Sequence, residues 1–353
     1  MKHSAATLYQ KEGTKKVLAS LISILAGLLV GGIAVILVGC FNEKISLSGA
    51  WDGFRIIFAG IFSTGRNAAG ELTWGFNAVN TGDMLFRATP LIMTGLSVAV
   101  AFKTGLFNIG AEGQYIMGTV TAAMFGYYLS LPGIIHPAVI LVAAFLVGGL
   151  FGALAGWLKA RFGVHEVIST IMLNWIALYF NNFILSLPGV KKTGTQASNE
   201  VLETARLTFM GAWKKSDAGK DFIRNNPIWG DFMRTDVHWG ILISIVVVIV
   251  AWYFLNRTTK GFELRAVGFN QYAAEFAGIN VKKNTIIAMF IAGGIAALAG
   301  AIHILGTNPF RISVLPITEG YGWDGISVSL IANNNPIGCI LSGLLFSGLN
   351  YGG

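Results

Sequence analysis

Nine apolar runs separated by polar joints dominate this sequence, at approximately Val17–Cys40, Met84–Phe102, Ala111–Leu131, Ile135–Leu158, Val167–Leu187, Trp239–Leu255, Asn284–Leu305, Tyr321–Ala332 and Ile337–Gly353. About 20 apolar residues in one helix cross the hydrocarbon core of a bilayer. The pattern predicts an all-α, polytopic membrane protein with eight to nine spans. Charged residues are 12% of the chain and apolar residues 54%, against about 25% charged in a soluble domain. Soluble and disordered classes are thereby excluded.

Charge placement sets an expected orientation. Lys2, Lys11, Lys15 and Lys16 precede the first run, which keeps residues 1–16 in the cytoplasm by the positive-inside rule. Alternation then places Lys103, Lys159 with Arg161, and the segment 256–284 on the same side. The transmembrane body fills 17–353. Segment 188–237 falls outside although it carries eight Lys or Arg and six Asp or Glu, a conflict softened by its length. The part-apolar piece Phe54–Phe62 is too short to cross and is expected at the interface or re-entering. Leu37-Val38-Gly39-Cys40 resembles a lipoprotein cleavage site, but the run before it exceeds a signal h-region and many spans follow. The net charge of +8 is accounted for by these loops and by membrane lipid, not by nucleic acid.

Several chemistries lack their residues. The two cysteines, Cys40 and Cys339, encode neither a disulfide framework nor a metal site. There is no G-x-x-x-x-G-K-[ST] phosphate loop, no second histidine at zinc spacing after His165-Glu166, and no G-x-S-x-G elbow. No catalytic set, metal site or cofactor is expected, and energy for any active process must come from a partner.

Two stretches carry the functional signal. Thr104 to Gln114, sequence TGLFNIGAEGQ, is polar and glycine-rich inside an apolar region. Irregular backbone at membrane depth is tolerated only where protein or a water-filled cavity surrounds it, so a broken or re-entrant segment is expected near 104–114. Phe107, Asn108, Glu112 and Gln114 then supply an aromatic face and polar groups to a solute path. The alternative is a plain cytoplasmic turn with Glu112 capping the next helix. The second stretch, Arg257 to Asn280, is basic and amphipathic, and Ala273, Ala274, Ala277 and Gly278 give a short helix a smooth face. It reads as a docking surface or as an ordinary amphipathic helix. Gly293, Gly294, Ala297 and Gly300 read as a helix-packing surface.

In these residues the sequence resembles the permease subunits of ABC importers of the ribose and branched-chain amino acid type, closest to the nucleoside-import branch. The resemblance rests on Gly105-Leu-Phe-Asn-Ile-Gly-Ala-Glu-Gly-Gln114, on Arg265-Ala-Val-Gly-Phe-Asn270 with Ala273-Ala274 and Gly278-Ile-Asn280, and on Gly322-Trp-Asp-Gly-Ile326 with Asn335-Pro-Ile-Gly338. It covers roughly Pro90 to Gly348.

The resemblance implies a coupling helix that docks on an ATPase, with Arg265, Asn270, Ala273, Ala274, Glu275 and Gly278 at the matching positions. Tyr272 stands where many importers have glutamate, which puts a specific salt bridge in doubt. It further implies a cytoplasmic ABC ATPase with two nucleotide-binding domains, a second homologous permease, and an extracytoplasmic solute-binding lipoprotein, in a bacterial cell membrane. For a nucleoside, a flat base joined to a hydroxylated sugar, Asn174 and Trp175 are expected to support the path and Asn308 and Phe310 to line its outer mouth. For Trp175 and Phe310, interfacial anchoring is the competing reading. A ribose or other sugar permease, a secondary transporter and a membrane enzyme are the rival functions. A secondary transporter calls for paired intramembrane carboxylates or histidines, of which Glu112 is the clear candidate.

Overall fold

In the computed structural model, residues 12–41, 47–67 and 72–352 are described. The basic head expected over 1–16 therefore lies largely outside the described residues. The helices, in chain order, are α1 Glu12–Phe41, α2 Leu47–Ala59, α3 Ala78–Lys103, α4 Ala111–Tyr128, α5 Ile135–Phe162, α6 Glu166–Ser186, α7 Gly211–Lys215, α8 Asp217–Asn225, α9 Pro227–Arg234, α10 Gly240–Arg257, α11 Thr259–Phe269, α12 Gln271–Phe276, α13 Val281–Gly306, α14 Tyr321–Ile331 and α15 Gly338–Gly352. An antiparallel hairpin, β1 Ser63–Arg66 with β2 Leu72–Trp74, follows α2.

The centre of the bundle is α13, packed against α3, α4 and α5. Its contacts depend on missing side chains. A Cβ on Gly118 would strike the Ala297 carbonyl, one on Gly300 the Tyr115 carbonyl, and one on Gly293 the Gly148 carbonyl. Small residues let these backbones approach where lipid offers no hydrophobic drive for association. The packing surface expected over Gly293–Gly300 is present. By contrast, α1 leaves Leu25, Leu29 and Val30 more than 60% exposed, the surface of a peripheral span facing lipid or another chain.

Among the described residues, six helices have the length and apolarity to cross a membrane: α1, α3, α5, α6, α10 and α13. The remaining expected crossings are built differently. The run Tyr321–Ala332 forms an 11-residue helix, about 16 Å at 1.5 Å per residue, roughly half of a bilayer core. It reaches only from the middle of the bundle to one end. Residues 307–320 complete the crossing as irregular backbone, and α4 likewise starts inside the bundle. The piece expected at the interface is α2, 13 residues long and short of a span.

The bundle has two distinguishable ends. Lys103, the 159–166 joint, the 257–284 arm and residues 332–337 share one. Segment 188–237 covers the other, where Leu202 N donates to Gly126 O at 2.9 Å and Leu207 N to Leu305 O at 2.7 Å. Within that cover Lys192, Arg206, Lys215, Lys220 and Arg234 each sit beside a carboxylate of the same segment. The excess of basic residues that conflicts with an external placement is thus largely paired locally.

Candidate functional site

The break at 104–110 turns back into the bundle from the Lys103 end. Gly105 takes φ +71°, the left-handed region that glycine enters without a Cβ clash. Asn108 Nδ2 reaches Ser97 Oγ at 3.3 Å, so the chain has climbed to a residue six positions inside α3. Asn108 and Gln114 bond reciprocally, at 2.8 and 3.1 Å. Asn174 accepts from Gly113 N at 2.8 Å and donates to the Ile109 carbonyl at 3.0 Å. Glu166, paired with Lys159 Nζ at 2.6 Å, accepts from Phe107 N at 3.4 Å. Phe107 stacks on Phe102, 5.1 Å between centroids. Side chains thus satisfy backbone groups that the interrupted helix leaves open, as an apolar interior requires.

Glu112 does more than occupy the first turn of α4. Its fully buried carboxylate accepts from Gly320 N at 2.8 Å and from Gly322 N at 2.5 Å, the entry of α14. One negative charge therefore faces two helix amino termini, where oriented N–H dipoles favour an anion. The expected cap on α4 is absent, since no side chain bonds the start of that helix; the Glu112 carboxylate caps α14 instead.

Segment 307–320 descends from the opposite end to meet it. Asn181 Nδ2 donates to Ser313 O at 3.0 Å, and Asn182 exchanges two bonds with Leu315, at 2.8 and 2.9 Å. Two breaks, one from each side, end on the same carboxylate.

The structure thus brings Asn108, Glu112, Gln114 and Asn174 together, all buried and with their polar groups engaged by protein, and places half-buried Phe107 at their edge. Trp175 is 50% exposed on the far face of α6 and stacks with Tyr179. Asn308 is exposed, and Phe310 lies under the Arg206 guanidinium, 4.3 Å from it, at the opposite end of the bundle. Sequence reading misses Ser97, Glu166, Asn181, Asn182 and the Tyr115–His303 pair, bonded at 2.7 Å. The adjacent amides Asn181-Asn182 within an apolar run were the available signal. His165 caps α6 by accepting from Val167 N.

The arm comprises α11 and α12. Asn270 caps α12, accepting from Ala273 N at 3.0 Å. Ala274 is buried, whereas Ala273, Glu275 and Gly278 are exposed, and Gly278 adopts φ +83° with open space where a Cβ would stand. Phe269, Tyr272 and Phe276 are each more than 80% exposed, an apolar patch that a solvated helix does not need. Arg265 lines a cavity of about 350 Å³ with Lys103 and Asn333 to Asn335.

The sequence pattern of the family described as branched-chain amino acid transport system / permease component matches residues 80–353, a span containing both breaks and the arm. The chain belongs to that permease family. A guanosine ABC transporter permease protein of Bacillus subtilis (strain 168) is 37% identical over 95% of this chain and 85% of its own. A nucleoside ABC transporter permease protein of Lactococcus lactis subsp. cremoris is 31% identical over 96% and 84%. A glucose ABC transporter permease protein of Haloferax volcanii is 29% identical over 94% and 79%. No solved structure gives a significant match. As a permease component this membrane protein is a transport part, one element of a larger system.

Proposed function

We propose that this chain is a permease subunit of an ABC importer that carries nucleosides across a bacterial cell membrane, with ATP hydrolysed by a separate ATPase bearing two nucleotide-binding domains. The observation that carries the reading is the 37% identity, over nearly the whole chain, to a guanosine transporter permease. In this reading 256–284 is cytoplasmic and 188–237 external. The exposed patch Phe269–Tyr272–Phe276 with Ala273, Glu275 and Gly278 receives the ATPase, a solute-binding lipoprotein meets the 188–237 cover, and a second homologous permease completes the pathway.

Arm movement reaches the pathway through backbone contact. Gly268, at the end of α11, lies against the Lys103 carbonyl and Gly105, so displacement of the arm displaces the break. Asn108, Glu112, Gln114 and Asn174, with Phe107 at their edge, are the lock that shifts as a unit. Asn308 and Phe310 stand at the outer mouth, and Trp175 on the outer face of α6. Such a switch requires contacts that differ between its two states.

A sugar permease is the second reading, favoured by the 29% identity to the glucose transporter permease. Uptake of labelled guanosine into proteoliposomes containing the complete complex separates them. Competition by unlabelled uridine or inosine, with little from glucose or ribose, is expected; the reverse order supports the sugar reading.

A further inference from the structure

The buried lock has no unengaged surface to offer a solute, which leaves the question of what does. Beside it, the descending segment and the start of α14 present polar groups outward at membrane depth. Gly325 sits on Thr94 and Val328 on Gly95, so α14 runs parallel to α3 and places residues 319–324 level with the middle of that 26-residue helix. Glu319 is exposed, Trp323 is 42% exposed, and Asp324 is partly so. Arg87, nine positions into α3, is exposed at the same level, and Tyr321 is partly exposed.

Carboxylates and a guanidinium do not face lipid tails, and irregular backbone is not left open to them. This surface must face water or another polar protein surface. Its chemistry is selective: two carboxylates can each accept from sugar hydroxyls, and Trp323 offers a flat face to a base beside Tyr321, whose ring packs on Tyr115 and His303.

The geometry points to Arg87, Glu319, Tyr321, Trp323 and Asp324 as the lining that contacts solute in transit, with an uncharged nucleoside as its occupant. The assignment rests on the importer reading above and goes beyond it by naming the residues that touch the solute. Glu112 then has a positioning role, since it fixes the entry of the helix that carries them.

Cysteine accessibility tests this. In a chain carrying Cys40→Ala and Cys339→Ala, Glu319→Cys and Trp323→Cys are introduced singly, with Val98→Cys as a buried comparison. The complex purified through this chain is placed in proteoliposomes and treated with a charged methanethiosulfonate during ATP turnover. Labelling at 319 and 323 at least about tenfold faster than at 98, slowed by saturating guanosine, is expected. Labelling no faster than at 98, or labelling that neither guanosine nor glucose slows, overturns the assignment. Slowing by glucose and not guanosine keeps the lining and overturns the nucleoside occupant. As a second readout, Trp323→Ala lowers guanosine uptake about tenfold, as loss of one stacked base contact would, and Trp323→Phe restores most of it. Equal rates for both variants and the parent overturn the stacking role.

Discussion

Gly105 and Gly268 meet backbone to backbone. A Cβ on Gly105 would lie 3.3 Å from the Gly268 Cα, and one on Gly268 would strike the Lys103 carbonyl. The contact joins the exposed arm to the break that opens α4, with no flexible side chain between them to absorb a displacement. Close-packed backbone transmits strain because it cannot deform continuously.

Gly268→Val should therefore separate arm from break. Uptake is expected to fall at least tenfold while the subunit still inserts and still retains its ATPase on purification. Gly105→Val adds the cost of a side chain at φ +71°, about 1–2 kcal/mol for the left-handed region, and should impair both uptake and thermal stability. Parallel uptake and melting measurements in detergent distinguish the two variants.

Gly278 faces open space, so a Cβ there meets nothing within 4 Å, and aspartate is among the residues that best tolerate its left-handed φ of +83°. Gly278→Asp should leave membrane insertion intact and abolish ATPase co-purification and uptake together. Unchanged uptake would remove Gly278 from the docking surface.

Loss of the Glu112 carboxylate orphans the N–H groups of Gly320 and Gly322. Each unsatisfied buried donor costs about 1–3 kcal/mol, so Glu112→Ala should lower the melting temperature clearly, and more than a surface substitution such as Asp217→Ala. Glu112→Asp, shorter by one methylene, keeps the charge and should recover part of the loss. Thermal unfolding followed by tryptophan fluorescence measures both.

The arm has an acid-sensitive anchor. Glu263 accepts from Lys260 Nζ at 2.6 Å and from Asn284 Nδ2 at 3.0 Å. The Lys260 hydrogen bond, then the Asn284 one, holds its carboxyl below the ordinary value of 4.5. A depressed carboxylate contributes stability that is present above 4.5 and lost as pH falls through its lower folded value. Hydrogen exchange in α11 and the first turn of α13 should therefore rise below about pH 4.5, and Glu263→Gln should show raised exchange already at pH 7 with little further acid dependence.

What the sequence revealed follows from the range of each signal. The break at 104–114 was legible because Asn108, Glu112, Gln114 and three glycines interrupt an apolar background locally. The packing stripe Gly293–Gly300 was legible from its period along one helix. The partner of Glu112 was not, since Gly320 is 208 residues away in the chain and a glycine N–H carries no side-chain signature. The half-helix at 321–331 read as a crossing because hydropathy cannot separate a short buried helix from a span. Amphipathicity marked the arm, but the outward turn of Phe269, Tyr272 and Phe276 depends on how α11 and α12 seat against Lys103 and α13, which no local pattern encodes.

The most direct test of the central claim is the rate of guanosine accumulation in proteoliposomes holding this chain, its partner permease and the solute-binding protein, with and without the ATPase and ATP. Accumulation only when ATPase and ATP are both present is predicted. Accumulation at an equal rate without them, or driven by an imposed proton gradient alone, would contradict a permease worked through its arm.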